Sequence, residues 1–450
     1  MAAKYIPVLF VIYLSAFLYA DPPAVTRTSE THEKTIERIM QAALHDSAAY
    51  NRLAELCDRF GPRISGSDNL EKAIDWIIAE MHKDGLDNAH GESAMVPHWV
   101  RGKESLTLIE PWEMAFPLLG LGRSIGTPEK GITAQVLAVE NFEELERRKA
   151  EVPGKIVVYD APFTSYGKTV AYRYSGAIEA ARYGAVASLI RSVTPFSLNT
   201  PHTGGMAYSD TVPQIPQAAI TVEAAAMLHR MTQRGQKPKL HLIMEGKMLP
   251  DVESRNVVVE LRGSEKPDEI IVFGGHSDSW DVGQGAMDDA GGCVAAWEAL
   301  RLIQSLGIQP KRTLRVVLWT NEEYGLRGGW AYAEAHKDDN HLVAIESDGG
   351  VFAPRGFGFT GPDTMREKLA NLIAALEPIG ANQLFDNGEE ADISPLMISG
   401  VPGMSLKVDN SKYFWYHHTA ADAVSMIDRD EFNRCVAALA TMVYSISELY

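Results

Sequence analysis

The sequence predicts an α/β fold: a mostly parallel, mixed sheet with helices on both faces, interrupted by an inserted second domain. Three observations carry this. From Asn256 onward, short β-rich runs alternate with helical stretches, the pattern of strands joined by crossover helices. Apolar residues recur at helical spacing in the long segments, as in Ala295, Ala299, Leu302 and Leu306, and again in Phe432, Val436, Leu439, Val443 and Ile446. Between them, residues 117–238 form a region of different texture, set off by the Gly- and Pro-rich stretch 120–130 and by Arg234-Gly235-Gln236-Lys237-Pro238.

The elements follow in order. Ile36, Ile39, Met40, Ala43 and Leu44 share one face of a first helix, and a second runs from Ala48 to Phe60 before Gly61-Pro62. A third opens at Asp68, with Glu71 as capping partner and Leu70, Ile74, Ile77 and Met81 as its buried stripe. In the insertion, strands are expected at 133–139, 155–159, 188–191 and 218–221, with helices near 142–149 and 175–183. No His or carboxylate there has ligand-like spacing, so covering a cleft or making an oligomer contact is the expected role. Beyond it, strands fall at 256–261, 269–273, 313–319, 342–346 and 404–408, with helices at 289–306 and 429–449.

Length and composition bound the function. The 450 residues are enough for two domains, and 46% hydrophobic with 22% charged residues is ordinary for a globular chain. A net charge of −17 argues against a nucleic-acid partner. Lys4 followed by the short apolar run Ile6–Ala20 reads as a secretory signal over residues 1–20, too short for a stable membrane anchor. Residues 21–32 read as a candidate propeptide. The remainder divides into 33–116, the insertion 117–238, and 239–450. Cys57, Cys293 and Cys435 allow at most one intrachain bridge.

The chemistry concentrates downstream. His276-Ser277-Asp278, Asp288-Asp289, Glu322-Glu323, Asp348 and His418 each follow an expected strand, at the carboxyl edge where open α/β sheets carry their sites. Two imidazoles and three carboxylates match a pair of Zn²⁺ ions, one Asp being shared. Four positive charges against three negative ones leave one to hold a hydroxide. Asp278 is placed to accept a proton from the His276 ring. Of the Glu322-Glu323 pair, one carboxylate suits metal and its neighbour suits proton transfer. Taken singly each motif has a plain structural explanation, such as a helix start or a packed aromatic loop. Their joint occurrence on successive strand ends does not.

These residues resemble the co-catalytic zinc peptidases, through His276 to Asp289, Leu318-Trp319-Thr320-Asn321-Glu322-Glu323-Tyr324-Gly325, Glu346-Ser347-Asp348 and Tyr413 to Thr419. Gly61 to Ser67, Leu119 to Pro128 and Ala187 to Ser192 extend the likeness over nearly the whole chain after the signal. The resemblance implies a peptidase domain interrupted by a protease-associated domain. It implies two Zn²⁺ per subunit, with Asp288 bridging, His276 and Asp348 on one ion, Glu323 and His418 on the other, and Glu322 as general base. It further implies a cis Asp288–Asp289 peptide, unblocked small peptides, chiefly dipeptides, as substrates, and a secreted or lysosomal homodimer. Three other readings stand beside it: an aminopeptidase acting on longer peptides, an inactive receptor-like ectodomain, and a one-zinc glutaminyl cyclase. The acidic loop 388–395 is a further candidate wall of the substrate pocket.

Overall fold

The computed structural model describes residues 32–449, so the expected signal and all but the last residue of the expected propeptide lie outside the described residues. In chain order the strands are β1 (His90–Val100), β2 (Glu104–Glu110), β3 (Met114–Phe116), β4 (Leu118–Gly120), β5 (Ile132–Val139) and β6 (Ile156–Tyr159). They continue with β7 (Ala187–Arg191), β8 (Gln217–Ile220), β9 (Lys239–Met244), β10 (Lys247–Leu261) and β11 (Lys266–His276). The last are β12 (Arg312–Trp319), β13 (Asn340–Glu346), β14 (Pro354–Thr360), β15 (Gln383–Phe385) and β16 (Gly403–Val408).

Two eight-stranded mixed sheets result. The first has the order β1-β10-β12-β11-β13-β16-β14-β15, the second β3-β2-β9-β5-β6-β7-β8-β4. In the first, the central strands β12, β11, β13 and β16 are mutually parallel, so their carboxyl ends share one edge. His276 at the end of β11 sits in register with Trp319 at the end of β12. The central strands are buried on both faces, which explains their near-continuous apolar runs.

The second sheet leaves the first after β1 and returns at β10. Those two strands pair antiparallel, with Val100 opposite Lys247, so both ends of the excursion are already neighbours. The second sheet spans Glu104 to Met244 and therefore adds β2, β3 and β9 to the 117–238 region. Its helix starts at Tyr166, not near 175, and runs to Arg182.

The helix Gly291–Ser305 is buried along nearly its whole length and packs among the helices Ala48–Phe60, His32–His45 and Arg429–Leu449. Leu70, Ile74, Ile77 and Met81 are buried as expected. The cap of their helix differs: Ser67 precedes it and its hydroxyl accepts from the Leu70 N–H at 3.3 Å. Glu71 instead bonds Arg255 on β10 at 2.9 Å, fixing the helix to the sheet. Cys57, Cys293 and Cys435 are free, buried thiols. Among the described residues no helix is long and apolar enough to cross a membrane.

Candidate active site

Parallel strand ends bring the separated motifs together. His276 Nε2 lies 3.1 Å from Asp288 Oδ1 and 3.2 Å from Asp348 Oδ1. His418 Nε2 lies 3.1 Å from Glu323 Oε2 and 3.4 Å from Asp288 Oδ2. Asp288 thus stands between two imidazole–carboxylate pairs. Glu322, Asp288, Glu323, Asp348 and His418 line a cleft of about 400 Å³.

The surrounding hydrogen bonds fix this geometry. Asp422 accepts the N–H groups of Ala286, Met287 and Asp288 at 3.1, 2.7 and 3.2 Å, holding the segment that presents Asp288. The Asp288–Asp289 peptide is cis. Asp289 turns away from the cleft and accepts from His276 N and Gly292 N, both at 3.0 Å. Buried Arg63 donates to the carbonyls of Gly61, Ser277, Gln284 and Gly285, which ties the Gly61–Ser67 loop to both flanks of the 276–289 segment.

Asp278 supports His276 differently from the expectation. Its backbone carbonyl, not its carboxylate, is the 3.0 Å partner of His276 Nδ1; the nearer carboxylate oxygen is 3.7 Å away. The carboxylate is occupied elsewhere, accepting from Glu322 N at 3.0 Å and from the Ser65 hydroxyl at 3.3 Å. Asp278 therefore positions both His276 and the Glu322 backbone. The residues flanking the glutamate pair also find reasons. Asn321 has φ 68°, a left-handed conformation that Asn tolerates better than most residues. The Tyr324 hydroxyl lies 3.0 Å from Ser65 O and 2.9 Å from Pro97 O, locking the turn to the Gly61–Ser67 loop.

The electrostatics are those of a site short of positive charge. Burial pushes Glu322 up to about 8 and Asp348 up to about 6, and raises Glu323 well above the usual carboxylate range. Burial lowers His417 to about 3 and His418 well below 6.5, where His417 adds repulsion. His276 moves the other way: burial opposes its charge, but Asp348 and the contacts with Asp278 and Asp288 outweigh it. Among the described residues no Lys or Arg pairs with Asp288, Glu322, Glu323 or Asp348. Asp288 Oδ2 and Glu323 Oε1 are buried without a hydrogen-bond donor. Buried oxygens left bare in this way are costly, and a cation satisfies them without needing donors. The donor set of imidazole nitrogens and carboxylate oxygens fits a divalent transition-metal ion. Two groups of side chains are each compact enough for one ion: His276 with Asp288 and Asp348, and Asp288 with His417 and His418.

Several contributors were not singled out from the sequence. His417 stacks on His418 with ring centroids 3.5 Å apart, and its Nε2 is 3.8 Å from Asp288 Oδ2. Tyr166 and Arg173 reach the cleft from the second sheet's helix. The acidic loop 388–395 stands at the cleft wall as expected, through Glu390, which pairs with Lys407 at 2.7 Å.

Fold and site together define a metallopeptidase of the α/β class. The profile of Peptidase family M28 matches residues 256–443, the stretch that contains every one of the ligand-like residues. The chain is 47% identical over 418 residues to carboxypeptidase Q of Mus musculus, covering 92% of this chain and 89% of that protein. It is 48% identical over 403 residues to carboxypeptidase Q of Homo sapiens, covering 89% and 85%. The crystal structure of a peptidase M28 precursor from Shewanella amazonensis superposes with a TM-score of 0.89 at 33% identity, covering 92% of this chain and 96% of that one. The chain belongs to peptidase family M28.

Proposed function

We propose that the protein is a dizinc dipeptidase that cleaves unblocked small peptides. The observation that carries this is the set of buried carboxylates and imidazoles around Asp288, with oxygens that no donor among the described residues satisfies. Asp288 would be shared between two Zn²⁺ ions, with His276 and Asp348 holding one and Glu323 and His418 holding the other. When bound, the ions lower the pKa of a water and polarise a peptide carbonyl. Glu322 is the carboxylate left outside the ligand set. It takes the proton of the attacking water and hands it to the departing amine. Asp278 holds the Glu322 backbone in place for that transfer.

The second sheet and its helices serve as the protease-associated domain, one helix roofing the cleft. A secretory signal over residues 1–20, a propeptide over 21–32, secretion or lysosomal delivery, and a homodimer belong to the same reading.

A peptide panel on purified, zinc-loaded protein tests it. Dipeptides, longer peptides and their N- and C-blocked forms are compared. Turnover confined to free dipeptides is expected. Stepwise removal of residues from the N-termini of long peptides would make the enzyme an aminopeptidase instead.

A further inference from the structure

Arg173 lines the cleft from the helix Tyr166–Arg182, with only 7% of its surface exposed. Its bonds are few for a buried guanidinium. Nη2 donates to the Tyr166 hydroxyl at 2.8 Å, Nη1 lies 3.3 Å from His418 Nδ1, and Nε is buried without a partner. No carboxylate among the described residues pairs with it. Other arginines are saturated: buried Arg63 donates to four carbonyls, and half-buried Arg101 grips Asp281 at 2.5 and 2.8 Å. A buried, unpaired cation is costly, so Arg173 demands an acceptor that the described residues do not supply.

The contact with His418 sharpens that demand. His418 Nδ1 also lies 3.3 Å from the Thr203 carbonyl. When Nε2 ligates a cation, Nδ1 carries the ring proton and donates to that carbonyl, so it cannot also accept from Arg173. In the loaded enzyme Arg173 then keeps one acceptor, Tyr166. Room for the guanidinium is built in: a Cβ at Gly204 would overlap it.

We propose that Arg173 binds the free C-terminal carboxylate of the substrate and thereby sets the length the cleft accepts. This rests on the dipeptidase reading of the site. The scissile carbonyl carbon and the terminal carboxylate carbon of a dipeptide are three bonds apart, roughly 4 Å at most. Arg173 lines the same cleft as Asp288, Glu322 and Glu323, so a peptide whose carbonyl is held beside Asp288 carries its terminal carboxylate into the space that Arg173 borders. A planar fork against a planar carboxylate gives the two-point contact that arginine makes best. A longer peptide would place an uncharged amide there and leave the cation unpaired.

The experiment compares alanyl-alanine with its C-terminal amide on zinc-loaded, full-length protein. The wild type should favour the acid. In Arg173→Met the acid-to-amide ratio of kcat/KM should fall about 100-fold, the loss typical of a buried charge pair. Arg173→Lys, which keeps the charge but not the fork, should fall between them and serves if the Met variant does not fold. An unchanged ratio, with both substrates slowed alike, would overturn the proposal and leave Arg173 as a support for His418. Calorimetry of both ligands on zinc-loaded Glu322→Gln protein separates the two readings. If the wild type cleaves neither peptide, the dipeptidase reading fails; preference for the acid that disappears on adding Arg173→Met still upholds the Arg173 assignment, and equal binding ends it.

Discussion

Two buried clusters of charge in this molecule are built on opposite plans. In one, Arg52 and Arg301 both engage Glu298, Arg52 also binds Asp84 at 2.9 Å, and Arg301 binds Asp46. Trp297 adds a donor to Asp84 at 3.1 Å and stacks its ring beneath Arg52. Every carboxylate there has an arginine. In the other, around Asp288, four carboxylates face imidazoles and one another without such a partner among the described residues, and two of their oxygens find no donor there. Both clusters incur the cost of desolvation, but only the first is closed by the chain itself. The difference separates structure from chemistry: a cluster that supplies its own cations holds helices together, whereas one that withholds them is prepared for cations from solution.

The largest expected effect breaks the second cluster at its centre. Asp288→Ala removes the oxygens shared by both imidazole–carboxylate pairs, so both zinc ions should be lost and activity should fall below detection. Metal analysis after dialysis checks this; two ions retained at wild-type affinity would remove Asp288 from the bridging position. Glu322→Gln should behave differently, because this carboxylate stands outside the proposed ligand set. Turnover should drop by about 10³- to 10⁴-fold, at the upper end for a general base, with zinc content unchanged. Normal hydrolysis by that variant would assign the proton transfer to another group.

How much of this contrast could be read in the sequence depends on where each partner comes from. His276, Glu323 and Asp348 were legible because each follows an apolar β run, and parallel strands deliver their ends to one edge. His418 arrives a loop after β16, and only the Tyr413–Thr419 resemblance distinguished it from His417. Arg173 left no local signal: it lies in a helix whose start was placed nine residues late, and a lone arginine on a helix reads as a solvated face. Asp422, which holds the backbone of 286–288, was equally silent, since a carboxylate bonding distant N–H groups leaves no spacing pattern. In the fold, β1 carries Pro97 within it, a residue that breaks the strand signal. The strand tolerates that proline at the sheet's edge, where the register shifts between Val96 and His98.

The first cluster offers a test from the other side. Glu298 has no exposed side-chain surface, and burial raises its carboxyl against the opposing pull of Arg52 and Arg301. Glu298→Ala removes one partner from each of Arg52 and Arg301, which keep Asp84 and Asp46, and should cost about 2 kcal/mol in denaturant unfolding, with zinc content unaffected. A loss of zinc at unchanged stability would mean that the two clusters are not separate in the sense argued above.

The smallest effect comes from a third arrangement, half-exposed, in which protons decide the pairing. His336 Nε2 lies 3.0 Å from Glu92 on β1, and its Nδ1 lies 2.9 Å from Asp339, which Arg315 also binds at 2.7 Å. The Glu92 contact is the main cause that raises His336, and the same contact, against the opposing effect of burial, lowers Glu92. A raised histidine contributes stability that is full below its unfolded value of 6.5 and lost as pH rises through its folded value. A lowered glutamate contributes above its unfolded value of 4.5 and loses this as pH falls through its folded value. The pair therefore stabilises most between those two unfolded values. His336→Asn should lower the melting temperature more at pH 5.5 than at pH 8.5, by an amount equivalent to about 1 kcal/mol or less for so exposed a pair. Equal losses at both pH values would show that packing against Tyr332, whose ring centroid is 4.4 Å away, matters more than the proton. Because this cluster changes charge by taking up a proton, its response should survive chelation of metal, whereas that of the Asp288 cluster should not.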